Sequence, residues 1–377
     1  MSQRTSPPYR AEHVGSLLRP PEVVKARADC AAGRITPAQL RAVEDTAIRA
    51  AVKMQEDLGL QSVTDGEMRR RSWHMDFYYQ IGGLAKVDEV VQVPFKNEDG
   101  DLAFAVESVK VMGRLKLDKT IFGEDFAFLK SIAKATPRLT IPSPSVMHRR
   151  GGHLLDRKAF PGIEKLYPDF APFWRDLGAV YADEVARLGA LGCTYLQIDD
   201  TSWASLCDPQ QRAQMSQSGS DGEKVHLTYI NVINDALKAK PPGMTVVTHT
   251  CRGNYRSSWI AAGGYDFIAE ALFSTLAVDG FFLEYDDQRS GGFEPLRFVP
   301  KGKMVVLGLV TSKKGALESK DALRRRIDEA AKYVPLDQLC LSPQCGFSST
   351  LEGNLLTPDE QWAKIRLVVE TARAVWG

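Results

Sequence analysis

Residues 224–251 read KVHLTYINVINDALKAKPPGMTVVTHTC, in which a helical pattern gives way, after Pro-Pro-Gly, to a short apolar run. The helical pattern spans Lys224–Ala239 and the strand-like run spans Thr245–Thr248, while another strand-like run, Tyr195–Asp199, precedes both. A strand, a helix and a second strand in this order are typical of two parallel strands joined by a crossover helix. These residues therefore predict an α/β fold.

The same alternation of strand and helix extends along the chain. Eight strand-like runs are found, at Glu12–Ser16, Ser62–Asp65, Leu139–Pro142, Tyr195–Asp199, Thr245–Thr248, Gly280–Glu284, Met304–Leu309 and Gln338–Leu341. Helical patterns lie between most of them, at Thr36–Glu56, Tyr167–Leu188, Lys224–Ala239 and Lys320–Lys332, with a last one at Pro358–Val375. Eight strand–helix units are the number that closes a (β/α)8 barrel, so we expect a TIM barrel.

One stretch breaks this alternation. Residues 87–117 read VDEVVQVPFKNEDGDLAFAVESVKVMGRLKL and alternate with a period of two on either side of an Asn-Glu-Asp-Gly turn. This pattern is typical of a β-hairpin, which would lie between the second and third barrel strands. No linker rich in Pro, Gly or Ser flanks it, so residues 1–377 are predicted to form a single barrel domain with an inserted antiparallel hairpin.

The composition of the 377-residue chain argues against several classes of protein. A formal net charge of +1 gives no reason to expect binding to nucleic acid or to an anionic membrane. No apolar run approaches the ~18 residues that a membrane span needs, and the first residues lack the apolar stretch of a signal peptide. Six scattered cysteines argue against a disulfide framework. The sequence therefore predicts a cytoplasmic protein.

Several predicted strands end in polar side chains that a barrel core does not need. His249 and Cys251 end the fifth strand, Glu284 ends the sixth, and Cys345 follows the eighth. His249 and Cys251 are two residues apart and therefore face the same side of an extended strand. In a barrel of parallel strands these ends meet at the C-terminal rim, where barrel active sites are built. The long separations between them exclude a zinc finger and fit ligands from separate strands.

Two thiolates, an imidazole and a carboxylate form a donor set that suits Zn²⁺ better than other common divalent metals. At a barrel rim such a metal would have a chemical role, with Glu284 able to give way to a substrate thiol. Zinc deprotonates thiols that bind to it, and two protein thiolates leave the bound sulfur electron-rich. The residues therefore predict zinc-dependent alkyl transfer to a thiol. The alternative is a buried histidine and two buried cysteines that never meet.

Six motifs resemble segments of the cobalamin-independent methionine synthase family, and they occur in the family's order over nearly the whole chain. HTCRGN (249–254), FFLEYDDQRSGGFEP (281–295) and LSPQCGF (341–347) resemble its metal-binding segments, and HVGSLLRP (13–20), SVTDGE (62–67) and LQIDD (196–200) resemble its substrate-binding segments. The resemblance implies a (β/α)8 fold whose Zn²⁺ ligands are His249, Cys251, Glu284 and Cys345. It also implies a thiol substrate held near His13, Ser16, Glu67 and Asp199.

The thiol and the alkyl donor are narrower predictions. Longer members of the family have a second, N-terminal barrel that helps hold the folate, and their usual Asp-Glu-Pro is here Asp199-Asp200-Thr201. The chain also resembles epoxyalkane:coenzyme M transferase in size and in its His-x-Cys…Cys site. The main prediction is therefore a coenzyme M thiolate that opens a short epoxyalkane to a 2-hydroxyalkyl thioether. The alternative is methyl transfer to homocysteine, whose ammonium group Glu67 and Asp199 would favour.

Two further segments bear on these predictions. RRRSWHMDFYYQ (69–80) includes His74, a candidate acid for protonating an epoxide oxygen, although packing of this helix on the barrel is the simpler interpretation. Arg149 and Arg150 could pair with a sulfonate or a carboxylate. We expect a homo-oligomer whose partners are a small-molecule thiol and an electrophilic alkyl donor.

Two rival functions come from other classes of protein. One is a metal-free decarboxylase of the uroporphyrinogen barrel type, which stoichiometric zinc would exclude. The other is a barrel that only stores or senses zinc, which thiol-dependent product formation would exclude.

Overall fold

A computed structural model describes residues 4–98, 100–150, 162–217 and 221–377. The strands in these residues are β1 (Ser62–Val63), β2 (Gly82–Asn97), β3 (Gly100–Lys116), β4 (Thr136–Pro137), β5 (Leu139–Pro142), β6 (Tyr195–Asp200), β7 (Thr245–Thr250), β8 (Gly280–Glu284), β9 (Met304–Val310) and β10 (Leu339–Pro343). β5 to β10 form one parallel sheet in which neighbouring strands follow chain order. The third to eighth predicted barrel strands are therefore present.

Short segments at the two ends of this sheet close it into a barrel. β1 pairs in parallel with β4, which leads directly into β5. On the other side, Ala11 forms a parallel bridge with Leu341 in β10. The backbone N–H of Leu17 donates to the carbonyl of Gly66, which joins the first segment to the loop after β1. The predicted α/β TIM barrel is confirmed.

The predicted first strand, Glu12–Ser16, is held without a regular backbone ladder. Three of its carbonyl groups, those of His13, Val14 and Gly15, accept hydrogen bonds from the buried side chains of Arg138, Gln197 and Thr64. These donors occupy carbonyl groups that a ladder would otherwise use. The apolar pattern locates the segment, but it does not reveal the side-chain donors that replace its strand pairing.

Helices surround the sheet. Their bounds are α1 (Pro21–Ala31), α2 (Pro37–Leu58), α3 (Met75–Tyr78), α4 (Gly123–Ile132), α5 (Pro144–Arg150), α6 (Ile163–Leu166), α7 (Phe170–Ala190), α8 (Ser202–Cys207), α9 (Pro209–Gln217), α10 (Val225–Leu237), α11 (Asp266–Thr275), α12 (Lys320–Ala330) and α13 (Pro358–Trp376). Thr36 and Thr357 form capping boxes, each followed by proline, which fix the starts of α2 and α13 close to the predicted positions. None of the described helices is long and apolar enough to span a membrane.

Strand residues alternate between two apolar clusters. Val246 and Val305 belong to the main core, which also includes the apolar faces of the helices. Val247 and Val306, the next residues along the same strands, belong to a small cluster of strand side chains and Val14, which includes no helix side chain. This alternation with a period of two is expected for a barrel with a filled interior. Side chains that continue the inner rows past the strand ends therefore meet at one rim.

β2 and β3 form the predicted antiparallel hairpin between the second and third barrel units. The hairpin begins at Gly82, five residues before the predicted start at Val87. Near its turn, the backbone of Lys96 exchanges two hydrogen bonds with Trp259, which lies in the loop after β7. The hairpin therefore extends across the rim of the barrel.

Glu184 on α7 is a buried carboxyl group that should make stability depend on pH. Its Oε2 accepts a hydrogen bond from the backbone N–H of Ile121 at 3.0 Å, and its Oε1 has no partner among the described residues. Burial raises the pKa of Glu184 from 4.5 to about 8. The folded chain then binds a proton that the unfolded chain has already released. The free energy of unfolding therefore falls as the pH rises from 4.5 to about 8.

We expect Glu184→Gln to remove this pH dependence, because glutamine fills the same space without an ionisable proton. The variant should be more stable than the wild type by a few kcal/mol at high pH and nearly equal to it at low pH, as measured by urea unfolding. Asp183→Asn is the control. The Asp183 side chain, next to Glu184 in the sequence, is 63% exposed, so its replacement should leave the slope of stability against pH unchanged. An unchanged slope in Glu184→Gln would contradict the assignment.

Candidate metal centre and substrate cavity

The four side chains predicted as metal ligands meet at the C-terminal rim. His249 lies in β7, Cys251 follows it, Glu284 ends β8, and Cys345 follows β10. His249 and Cys251 continue the inner row that Val247 begins, because each is two residues further along the strand. One ligand atom from each of the four residues lies within 4.8 Å of the others, and all four residues are buried. Such a cluster has the size that a four-coordinate metal requires.

The two cysteines form a closely coupled pair. Their sulfur atoms are 3.4 Å apart, and the backbone N–H of Gly253 donates to Cys251 Sγ at 3.3 Å. The hydrogen bond from Cys251 holds the pKa of the Cys345 thiol well below its usual value, and the same contact raises the pKa of Cys251. The contact therefore favours the thiolate form of Cys345 over that of Cys251.

Unpaired polar atoms in this cluster fit a metal ion. Both ring nitrogens of His249 and Oε2 of Glu284 are buried with no hydrogen-bond partner among the described residues. Oε1 of Glu284 accepts a hydrogen bond from the backbone N–H of Arg252 at 3.1 Å. A buried polar atom without a partner costs about 1–3 kcal/mol, and coordination would remove that cost. Two sulfurs, an imidazole and a carboxylate are donors suited to zinc.

A cavity of about 140 Å³ opens over the cluster. Its lining includes three of the four candidate ligands and three of the predicted substrate residues, which are His249, Cys251, Cys345, Ser16, Glu67 and Asp199. Glu284 is not among the lining residues. Ser16 also accepts a hydrogen bond at its Oγ from the backbone N–H of Ser348, which fixes it beside the loop that carries Cys345.

Glu67 and Asp199 bring two buried carboxyl groups to the cavity. Thr140 Oγ1 donates to Glu67 Oε1 at 2.8 Å, while Glu67 Oε2 has no partner among the described residues. Gln197 donates to Asp199 Oδ1 at 2.7 Å. Burial raises the pKa of both groups, that of Asp199 to about 7. Glu67 also has a φ of 56°, a strained conformation that is common at functional sites.

His13, which the resemblance implies is near the substrate, does not line the cavity. Its Nε2 lies 2.8 Å from Gln55 Oε1 on α2, and burial lowers its pKa to about 3. Val14 and Ser16 line the cavity. The alternation of an extended chain places His13 on the opposite side from these two neighbours. In the described structure His13 therefore contacts α2 and not the substrate cavity.

The hairpin forms one wall of the cavity, a feature that no motif in the sequence indicates. Phe95, Ala105 and Glu107 of β2 and β3 line the cavity, and the ring of Phe95 lies 5.8 Å from that of Tyr255. The period-two pattern identified the hairpin but carried no signal for where its far end would lie.

The other residues singled out in the sequence are His74, Arg149 and Arg150. His74 lies in the cavity lining, with its Nδ1 3.0 Å from Ser72 Oγ, so its proposed role as an acid stays a prediction. The side chains of Arg149 and Arg150 lie outside the described part of the chain.

Comparison with known proteins gives the family. Residues 171–373 match the family described as "Cobalamin-independent synthase, Catalytic domain". The uncharacterized protein YxjG of Bacillus subtilis (strain 168) is 45% identical over 376 residues, which cover 99% of this chain and 96% of the relative.

Two solved structures are similar along nearly the whole chain. The "Putative Vitamin-B12 Independent Methionine Synthase" of Listeria monocytogenes has a TM-score of 0.75 and 35% identity, with 99% of this chain and 100% of that chain covered. A B12-independent methionine synthase from Shewanella sp. W3-18-1, in complex with selenomethionine, has a TM-score of 0.71, 18% identity and 97% coverage of both chains, and it shows the fold alone.

The match to the family model covers more than half of the chain. It includes all four clustered candidate ligands, His249, Cys251, Glu284 and Cys345. The relatives give no support to the prediction of coenzyme M and an epoxide, and they favour the methyl-transfer alternative. This chain belongs to the cobalamin-independent methionine synthase family, as a (β/α)8 methyltransferase-family enzyme.

Proposed function

We propose that this protein transfers a methyl group to the thiol of homocysteine and forms methionine. One observation carries the proposal: Glu67 and Asp199, two buried carboxyl groups, line the same cavity as His249, Cys251 and Cys345. An amino-acid thiol has the two groups that this arrangement would recognise, a sulfur for the metal and an ammonium for the carboxylates.

The zinc site is part of the proposal. His249, Cys251, Glu284 and Cys345 would hold Zn²⁺, which lowers the pKa of a coordinating thiol so that it is a thiolate at neutral pH. Glu284 is held through Oε1 by the backbone N–H of Arg252, and its Oε2 is the atom left for the metal.

Glu67 and Asp199 would bind the substrate ammonium and so orient its sulfur. Charge-assisted hydrogen bonds of this kind are about twice as strong as neutral ones. A bound cation also stabilises the ionised form of both carboxyl groups, which burial alone disfavours. Coenzyme M carries a sulfonate and no ammonium, so it offers these two groups no cation to bind. The lining therefore favours homocysteine over coenzyme M.

The transfer itself is a displacement at a methyl carbon. The substrate sulfur forms a bond to the methyl group while the bond between that carbon and the donor breaks, and the bonding electrons leave with the donor. His74, which lines the cavity, would be a candidate for giving a proton to the departing group. The methyl donor would be an electrophilic methyl compound. Assembly of the chain into a homo-oligomer stays a prediction.

Thiol binding to cobalt-substituted protein tests the proposal. Homocysteine and coenzyme M are added separately, and the cobalt absorption spectrum reports binding at the metal. We expect homocysteine to change the spectrum at a concentration at least ~30-fold lower than coenzyme M, because two buried carboxylates favour its ammonium. A response to coenzyme M without one to homocysteine would contradict the proposal and restore the epoxide alternative.

A further inference from the structure

Lys313 places a buried positive charge beside the candidate metal centre. It follows β9 and is only 7% exposed. Its Nζ lies 3.4 Å from both the carbonyl oxygen of Gly253 and Oδ1 of Asn254, and it has no carboxylate partner within 4.0 Å among the described residues. Lysine is almost never this buried without a paired charge, so this position needs an explanation.

The two contacts of Lys313 lead to both cysteine loops. Gly253, whose carbonyl faces the ammonium, donates its backbone N–H to Cys251 Sγ. Asn254 donates from Nδ2 to the carbonyl of Gly346 at 2.7 Å, and Gly346 directly follows Cys345. Lys313 therefore lies against the two segments that carry the candidate thiolate ligands.

Two acidic residues at the end of β8 lie beside the strand that Lys313 follows, because β8 pairs with β9. Glu284 is a candidate metal ligand, and Asp286 is a second carboxyl group, 3% exposed, whose Oδ2 lies 3.8 Å from a nitrogen of Arg289. Neither carboxyl group lies within 4.0 Å of Lys313 Nζ among the described residues. The charge of Lys313 therefore acts across the metal site and not on a single ion-pair partner.

The ammonium group of Lys313 would offset part of the negative charge of a metal site that binds a thiolate. A divalent zinc ion, two thiolates and one carboxylate sum to a net charge of −1. A substrate thiolate that joins them makes the sum −2 inside a buried site, and uncompensated buried charge is strongly unfavourable. One ammonium group returns the sum to −1.

We propose that Lys313 is a positioning residue whose ammonium group compensates the charge of a substrate thiolate entering beside Cys251, Cys345 and Glu284. The inference rests on the proposed thiol substrate. Arg252 is a second buried cation nearby, but its guanidinium already lies 4.7 Å from the centre of the Tyr265 ring and is directed to that face. Lys313 is the cation that contacts the cavity-lining residues Gly253 and Asn254.

The role of Lys313 is tested by measuring the affinities for zinc and for homocysteine, which should respond differently to its replacement. Lys313→Met removes the charge and keeps the apolar stem, Lys313→Gln keeps a hydrogen-bonding end, and Lys313→Arg keeps the charge. Zinc affinity is measured by chelator competition without thiol, and homocysteine affinity is measured from the spectrum of cobalt-substituted protein. Lys314→Met is the matched control, because Lys314 is 59% exposed and pairs with Glu98 at 2.5 Å.

We expect Lys313→Met and Lys313→Gln to bind homocysteine at least ~10-fold more weakly, which corresponds to about 1.4 kcal/mol. Zinc should bind at least as tightly as in the wild type, because a positive charge has been removed from a site that binds a cation. Lys313→Arg should restore most of the homocysteine affinity, and Lys314→Met should change neither quantity.

Two outcomes would overturn the role of Lys313. One is homocysteine binding within threefold of the wild type in both neutral variants. The other is a parallel loss of zinc and homocysteine affinity, which would indicate a purely structural role. Wild-type cobalt protein that binds no homocysteine would overturn the proposed function and this inference together, so the two failures are distinguishable.

Discussion

Replacing Cys345 by alanine is expected to lower the affinity for zinc by more than ~100-fold, so that the purified variant carries no stoichiometric metal. Loss of an outer partner of a metal ligand already costs 10–100-fold in affinity, and Cys345 is itself a candidate ligand. The substitution also removes the sulfur that lies 3.4 Å from Cys251 Sγ. Metal analysis of the purified variant measures the effect.

Cys193→Ala is the matched control for Cys345→Ala. Cys193 is also buried, at 2% exposure, but it lies in the main core away from the cavity. We expect this variant to keep one zinc per chain and to lose about 1 kcal/mol of stability from the small cavity that it creates. Full zinc content in Cys345→Ala would contradict the ligand set.

Glu67→Gln and Asp199→Asn are each expected to lower kcat/KM for homocysteine by ~100-fold, which corresponds to about 3 kcal/mol. Removal of one partner from a buried, hydrogen-bonded charge pair costs about 2–5 kcal/mol, and the substrate ammonium would be left beside a neutral amide. Zinc content should stay at the wild-type level, because neither side chain belongs to the four clustered ligands. Steady-state kinetics and metal analysis on the same samples separate the two effects.

Two controls test whether the ammonium is the group recognised. 4-Mercaptobutanoate has the thiol and carboxylate of homocysteine without the ammonium, so the variants should bind it as the wild type does. Glu107→Gln changes another carboxylate of the cavity, one that already pairs with Lys86 at 2.8 Å and accepts a hydrogen bond from Tyr79 at 2.9 Å. It should alter kcat/KM less than threefold. Equal losses for both thiols would contradict ammonium recognition.

The convergence of the candidate metal ligands could be predicted because it depends on local rules. His249 and Cys251 are two residues apart on one strand, and Glu284 ends the next strand in the sheet. Parallel strands bring such ends to one rim whatever the details of packing. The starts of α2 and α13 could be predicted for a similar reason, because Thr36 and Thr357 cap the helices that directly follow them.

Features that depend on distant partners could not be predicted in this way. His13 belongs to the HVGS motif, but its hydrogen-bond partner is Gln55, on a helix whose packing no motif encodes. The cavity wall that the hairpin forms depends on where the hairpin meets Trp259, more than 150 residues along the chain. Lys313 stands out only after folding, because a lysine in a loop is ordinarily exposed.

We propose that three distant segments of the chain hold a zinc ion that binds a substrate thiol. X-ray absorption at the zinc edge counts the sulfur atoms around the metal and tests this claim most directly. We predict one zinc per chain with two sulfur neighbours in the protein alone, from Cys251 and Cys345, and three after homocysteine is added. Protein that binds no metal, or a sulfur count that homocysteine leaves unchanged, would contradict the account.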